Sequence, residues 1–464
     1  MTIPSKVIAY IAVVVLVGIS SYLTGIEATQ ITSITVFSFI VAGALLFWRF
    51  RLAFALFGLG ILFAARVMDV ETFIESAGLD IILFLIGMMI VIGFLEERHF
   101  FEVLLDKIIG YAGDSTYKIV GLLMLMAAFS AALVDEVTSI LFVTSTVIHL
   151  TSRLRISTVP LVMATVFATN IGSSATVVGN PVGVMIALNA KLGFSDFLRW
   201  ATPISIISLI LSIAIVFIIF KGYIKEMKKS LESLKSSENS LRSNTGEKTQ
   251  GVDKVALIVF LGTITGLVLH TQIEELLGLK KNTMLIGVAV IAAAIVLFLQ
   301  RDKARELVER RVDWWTLSFF LVFFSSVGTL EFTGVTTLLA NFFINISGDL
   351  TSNMLITGWV SGLMSAGMDN VLAVALWISI VEKMGELGIN IFPLWWVMLF
   401  GATFMGNLTP IGSTANIVAI GMIERQKMGH ISLKTWIIPG AMVSIPTFTL
   451  SLLLLLLQLP LMLS

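Results

Sequence analysis

The sequence holds no cysteine in 464 residues, which excludes disulfides and thiolate metal sites. Charge is scarce too: Asp, Glu, Lys and Arg make up 13% of the chain, about half the share usual in soluble domains. The formal net charge is zero, so no overall field draws nucleic acid or an acidic partner. Only four histidines occur, His99, His149, His270 and His430. Each falls near a predicted membrane edge. No separate soluble domain is visible. The first apolar run, 8–26, follows Lys6 and lacks an Ala-x-Ala cleavage pattern, so it reads as a retained span rather than a signal peptide.

What is abundant is apolar surface, 57% of residues. Nine runs have the roughly 20-residue length that crosses a bilayer: 7–26, 31–48, 52–68, 80–95, 201–220, 253–270, 282–299, 314–330 and 436–459. Four other segments, 119–150, 158–190, 352–381 and 392–423, are too long for one straight span and too short for two. The first and third carry Asp135-Glu136 and Asp369-Asn370 near their centres. They fit re-entrant hairpins with arms of about 16 residues, each rising about 24 Å. The second and fourth centre on glycine, proline and small polar residues and read as broken helices. The stretches 99–113 and 332–347 resemble interfacial helices leading into each hairpin.

Counting from a cytoplasmic amino terminus places the carboxyl terminus outside and the charged linker inside. All but six of the 30 Lys and Arg residues then lie inside; the exceptions are Arg66, Lys191, Arg199, Lys280, Lys281 and Lys383. That is the bias of the positive-inside rule. Trp48, Trp200, Trp314, Trp315, Trp395, Trp396 and Trp436 stand near predicted span ends, as an interfacial belt would. The linker, rich in Lys, Glu and Ser, is expected to be partly disordered.

The two halves repeat. Gly93-Phe-Leu-Glu96 matches Gly328-Thr-Leu-Glu331, Val134-Asp-Glu-Val137 matches Met368-Asp-Asn-Val371, and Thr176-Val-Val-Gly179 matches Thr409-Pro-Ile-Gly412. The three offsets, 235, 234 and 233, are nearly one. By the topology count the hairpins open to opposite sides, so the repeats are inverted. The chain divides into an additional span (1–28), a first repeat (29–220), a linker (221–252) and a second repeat (253–464). The expected fold is an all-α polytopic membrane protein. Paired interrupted segments in inverted halves point to a central binding site near the midplane.

Carboxylates at that depth cost about 2.5 to 3.5 kcal/mol each on insertion scales, so Asp135, Glu136 and Asp369 should face a cavity. There they could coordinate Na+ or carry a proton. Asn170-Ile-Gly-Ser-Ser-Ala-Thr-Val-Val-Gly-Asn-Pro-Val-Gly183 supplies Asn170, Ser173, Ser174, Thr176 and Asn180, with Gly172, Gly179 and Gly183 expected to permit positive φ and close backbone approach. Gly406-Asn-Leu-Thr-Pro-Ile-Gly-Ser-Thr-Ala-Asn416 supplies Asn407, Thr409, Ser413, Thr414 and Asn416, with Gly412 in the matching place. Asn370 joins this set. Thr138, Ser139 and Thr144 either add oxygens or bond back to helix carbonyls. A Na+ site would draw on Asp135, Asn170, Asp369 and Asn407; a proton needs only the carboxylates. Glu96 and Glu331, at span ends, are either functional or merely interfacial. No Lys or Arg lies nearby in sequence, so an anionic substrate would rely on helix ends or bound cations.

The stretches around Asn170-Ile-Gly and Thr409-Pro-Ile-Gly-Ser-Thr-Ala-Asn416 resemble the ion transporter superfamily, in particular its arsenite permease and Na+/H+ antiporter (ArsB/NhaD) branch, which includes the P protein and shares a citrate-transporter-like domain. The resemblance runs from about 30 to 450. It implies a scaffold domain that dimerises and a transport domain of two hairpins and two broken helices moving as an elevator. In the dicarboxylate branch the hairpin tips are neutral Ser-Asn-Thr, whereas this chain has Asp135-Glu136 and Asp369-Asn370, which speaks against organic acids. Pro181-Val-Gly183 departs from the family's frequent Pro-Pro-Asn, while the second loop keeps Asn416, so the site should be asymmetric.

The reading that follows is a secondary transporter, not an enzyme, in a plasma (inner) membrane. It would exchange H+ or Na+, the coupling ion and only cofactor, for a small inorganic ion such as arsenite, antimonite or Na+. Na+-coupled dicarboxylate or citrate transport is the alternative. A passive channel is another. An intramembrane aspartyl protease is remote, because Asp369 lacks a preceding Gly-x-Gly. Expected partners are the bilayer, the ion and a second copy of the chain, with no nucleic acid.

Overall fold

The computed structural model describes residues 3–101, 103, 115–239 and 253–463. Among them there is no strand. In chain order the helices are α1 (Ile3–Leu23), α2 (Ala28–Leu46), α3 (Arg51–Ala64), α4 (Val70–Ser76), α5 (Leu79–Glu97), α6 (Thr116–Leu133), α7 (Glu136–Leu154) and α8 (Val159–Ser173). Then come α9 (Pro181–Ala190), α10 (Phe194–Trp200), α11 (Thr202–Ile219), α12 (Lys221–Asn239), α13 (Lys254–Val268), α14 (His270–Leu277), α15 (Thr283–Gln300) and α16 (Ala304–Arg311). The last seven are α17 (Trp314–Phe332), α18 (Val335–Ser347), α19 (Leu350–Gly367), α20 (Asn370–Glu386), α21 (Phe392–Met405), α22 (Thr414–Arg425) and α23 (Leu433–Leu463). Among the described residues nine helices are long and apolar enough to cross a membrane, ten if the bent pair α13–α14 is one span.

The chain forms two compact units. The first comprises residues 1–86, 312–356 and 375–391. Its helices approach closely where side chains are small: any Cβ at Gly43 or Gly58 would fall within 2.6 Å of Phe54 or Ile40. Within it Lys383 pairs with Glu331 at 3.4 Å and with Glu386 at 2.9 Å. By contrast, α1 leaves Ile8, Ile11, Leu16 and Tyr22 exposed, which suits a lipid-facing helix.

The second unit comprises residues 87–311, 357–374 and 392–464. Its centre is set by α8 and α21, in which every residue from Leu161 to Ser173 and from Pro393 to Met405 is buried. A helix apolar on all sides can sit only inside a larger assembly of helices. Each of these two helices ends in a short 3-10 turn, Val177–Gly179 and Gly406–Leu408, before α9 and α22 resume. Both interrupted segments are therefore broken helices, as the glycine- and proline-bearing sequences predict.

Several expectations need correction. The first hairpin's arms, α6 and α7, are 18 and 19 residues long, not about 16. Ser115 caps α6 by accepting from the Lys118 amide, and α7 runs on to a left-handed cap at Arg155. Linker residues Lys221–Asn239 form helix α12, because Ile224 and Met227 recur on one face and are buried; the remainder of the linker is outside the described residues, as is most of 99–113. Within 332–347 a helix stands where the sequence places one, as α18 over Val335–Ser347. The 253–270 span stops at Val268 and bends by 60° into α14. Trp200, Trp395, Trp396 and Trp436 are buried, at 6%, 3%, 0% and 0% exposure, rather than facing outward as a belt would; Trp314 and Trp315 are the exposed pair.

Candidate functional site

The site lies wholly within the second unit and is built around two helix breaks and two loops. At Val134-Asp135 the chain leaves α6 and starts α7. The Asp135 carboxylate caps α7, accepting from the amides of Val137 (3.2 Å) and Thr138 (3.1 Å), two of the amides a helix start leaves unpaired. Across the arms, Ser139 donates to the Ala127 carbonyl at 3.0 Å and meets Ser130 at 2.5 Å, which fixes the reversal. Thr138 turns back to Asp135 at 3.5 Å. At Met368-Asp369 the same break recurs between α19 and α20: Asp369 accepts from the Val371 amide (3.2 Å) and from the Thr414 hydroxyl.

Each loop is pinned to the break in its own half by one recurring contact. Thr176 donates to the Ala132 carbonyl and Thr409 to the Ala366 carbonyl. Gly179 lies against the Ser173 carbonyl and Gly412 against the Gly406 carbonyl, so near that added Cβ atoms would come within 2.1 Å and 2.5 Å of those oxygens. The loops then close on N-caps: Asn180 accepts from the Gly183 amide, and Ser413 from the Ala415 amide.

Between the loops stands a buried amide network. Asn170 donates to Asn407 (2.7 Å) and to Asn416 (2.8 Å) and accepts from Ser413 (3.0 Å). Asn407 donates to the Phe167 carbonyl (3.2 Å), and Asn416 to the carbonyls of Gly406 (2.9 Å) and Thr409 (2.8 Å). Trp436, which sequence position alone assigns to a membrane edge, donates its indole N–H to the Asn407 carbonyl at 2.8 Å. It is a supporting residue the sequence reading missed; a tryptophan just inside a long helix gives no sign of which way its ring turns.

Glu136 is the group on which the parts converge. It is 1% exposed and accepts from Ser173 (3.3 Å), from Asn370 (3.3 and 3.4 Å, one to each oxygen) and from Ser413 (3.5 Å). All three donors are neutral. Among the described residues no ion pair includes Glu136. The two hydroxyls are also shared: Ser173 Oγ can donate either to Glu136 or to the Asn170 carbonyl (3.1 Å), and Ser413 either to Glu136 or to the Asn170 side chain. One hydroxyl has one proton, so each serine serves the carboxylate or Asn170, not both. Asn180 donates to Ser173 at 2.7 Å, which leaves that serine's own proton free to choose.

Not every predicted residue joins this centre. Ser174 bonds Ile171 and Ser205, facing α11. Gly172 is the point where α8 touches the Ala128 backbone. Among the described residues, no hydrogen bond ties Asp135 to Asn170 or Asn407, and no cluster of three or more His, Asp or Glu is arranged for a metal. Thr144 is buried with an unpaired hydroxyl. Glu96 pairs with Arg311 at 2.8 Å, within the same unit but in a different cluster.

The apolar helices and their buried polar centre define an integral, multi-pass membrane transporter. The chain belongs to the CitMHS citrate transporter family, whose model matches residues 39–401. An uncharacterized transporter of Mycobacterium tuberculosis is 34% identical over 352 residues, covering 75% of this chain and 78% of the relative. The human P protein is 26% identical over 488 residues, covering 88% of this chain and 58% of the P protein. Among solved structures, the Alcanivorax borkumensis YdaH transporter, described as having an unusual topology, aligns with a TM-score of 0.52 at 17% identity, over 87% of this chain and 89% of the other.

Proposed function

We propose that this chain is a secondary active transporter in which Glu136 carries the coupling cation, H+ or Na+, in exchange for a small inorganic ion. The observation that carries this reading is a buried carboxylate held only by neutral donors. An uncompensated buried charge costs several kcal/mol. A proton or Na+ on Glu136 removes that cost, so the loaded centre is the stable one and movement of the empty, charged centre is disfavoured. The choice open to Ser173 and Ser413 gives the loading a local readout: both turn to Glu136 when it is charged and to Asn170 when it is neutralised. In this reading Asp135 and Asp369 orient the two helix starts, and Asn170, Asn407 and Asn416 hold the loops together.

The recurring threonine pins and loop glycines support the repeat reading; the elevator movement and the homodimer rest on the family resemblance, and the cytoplasmic amino terminus and plasma-membrane location on the charge bias. Arsenite or antimonite efflux and Na+/H+ exchange are the leading substrates. A second reading, Na+-coupled citrate or dicarboxylate transport, is favoured by the family model's description. It is opposed by the absence of any Lys or Arg from the hydrogen bonds of the centre among the described residues. Reconstituted protein under an imposed pH gradient, offered arsenite, Na+, Li+, succinate and citrate in turn, separates these. We expect arsenite or Na+ flux that stops when the gradient is collapsed. Flux that persists as a gradient-independent conductance, or Na+ uptake accelerated only by citrate or succinate, would overturn the assignment.

A further inference from the structure

We propose that the basic end of the second unit, where α12 meets α6 and α7, binds the phosphate headgroup of an anionic phospholipid. The helix is placed for this by connectivity. Only Phe220 separates the end of the apolar α11 from the start of α12, so α12 begins at the membrane surface with no intervening loop. One face is anchored: Ile224 and Met227 are 1% and 0% exposed, and the Tyr223 hydroxyl donates to the Ser157 carbonyl at 2.8 Å, fastening α12 to the turn between α7 and α8. The other face exposes Lys221, Lys225, Lys228 and Lys229. Lys118 on α6, Arg153 on α7 and Arg155 at its cap are exposed as well. Against these cations stand Glu226 and Glu232, and Glu232 lies 3.8 Å from Lys228 in a solvent-exposed pair that contributes little.

Between α12 and the start of α6 is a cavity of about 490 Å³, within the range of small-ligand sites. Tyr117, Ile224 and Leu231 give its lining an apolar part and Ser115, Thr116, Lys225 and Lys228 a polar one, with Glu232 the single carboxylate among the lining residues. Lysine is a compact point charge suited to phosphate, and a juxtamembrane cluster of four to eight basic residues on an amphipathic helix attracts anionic lipid. The apolar part favours a lipid over a free phosphate, since a soluble anion gains nothing from Ile224 or Leu231.

The test uses the full chain in nanodiscs containing spin-labelled phosphatidylglycerol or phosphatidylcholine of matched acyl chains. We expect phosphatidylglycerol to be preferred by about tenfold or more. The Lys225→Gln/Lys228→Gln variant should lose that preference. Lys225→Arg/Lys228→Arg should keep it, as should Lys280→Gln/Lys281→Gln, which removes two exposed lysines elsewhere in the unit. Undiminished preference in the glutamine variant would overturn the proposal. So would displacement of the lipid by inorganic phosphate at about millimolar concentration, which would mark a soluble-anion site instead.

Discussion

The two halves of the centre share a scaffold and differ in charge. Thr176 and Thr409 make the same bond to the carbonyls of Ala132 and Ala366, and Asp135 and Asp369 cap the same kind of helix start. Yet where the first half has Glu136, the second has Asn370, which donates to it. Where the first loop ends on Asn180, which holds Ser173, the second ends on Ser413, which reaches Glu136 and Asn170; and where the second half has Asn416, tied to its own loop backbone, the first has Gly183. What recurs is the machinery that shapes backbone; what has diverged is the side chain at the meeting point. One half supplies the ionisable group and the other supplies part of its solvation.

The comparison can be broken by removing the group that joins the halves. Asn170→Ala takes away partners from Asn407, Asn416 and Ser413 at once and leaves buried acceptors unsatisfied. We expect a loss of roughly 3 to 5 kcal/mol, read as a lowered melting temperature or failed folding in detergent. A melting temperature within a degree or so of the parent's would mean the halves are held together elsewhere.

The shared scaffold predicts matched effects of different size. Gly179→Ala drives a methyl to 2.1 Å from the Ser173 carbonyl, and Gly412→Ala to 2.5 Å from the Gly406 carbonyl. Backbone must shift in both, at a cost of about 1 to 3 kcal/mol, the first exceeding the second. The reverse order in thermal unfolding would show that the first loop is the more yielding. Smaller still, Thr176→Val and Thr409→Val each remove the bond donated to a carbonyl of the preceding break at nearly constant volume, Thr409→Val also removing a longer bond accepted from the Ile411 amide at 3.3 Å, and should cost about 1 kcal/mol each. Equal losses sharpen the equivalence of the halves; a loss confined to one of them undoes it.

Much of this was legible in the sequence. Seven of the nine apolar runs recur as span-length helices, while 52–68 shortens to the 14-residue α3 and 253–270 bends after Val268; the two acidic breaks and two interrupted spans recur as breaks between helices, because lipid tolerates so little else. The polar set was legible as a list. Its wiring was not, because which donor meets which acceptor depends on how α8 and α21 turn inside the unit. Residue type put Na+ on Asp135 and Asp369 and left Glu136 among the carboxylates that could carry a proton; only the helix caps separate the two aspartates from the glutamate. Trp436 was misread for a similar reason: proximity to a span end does not say whether a ring faces lipid or an asparagine carbonyl. The amphipathic register of Ile224 and Met227 was present in the linker, masked by its high charge.

The central claim is that Glu136, rather than either aspartate, carries the coupling ion. Glu136→Gln keeps the shape and the acceptor for Asn370 but cannot be charged. In proteoliposomes the account predicts that it folds, while exchange driven by a pH or Na+ gradient is abolished; Asp135→Asn and Asp369→Asn should slow exchange and retain its dependence on the gradient. Gradient-driven exchange at the parent's rate by folded Glu136→Gln protein would contradict it.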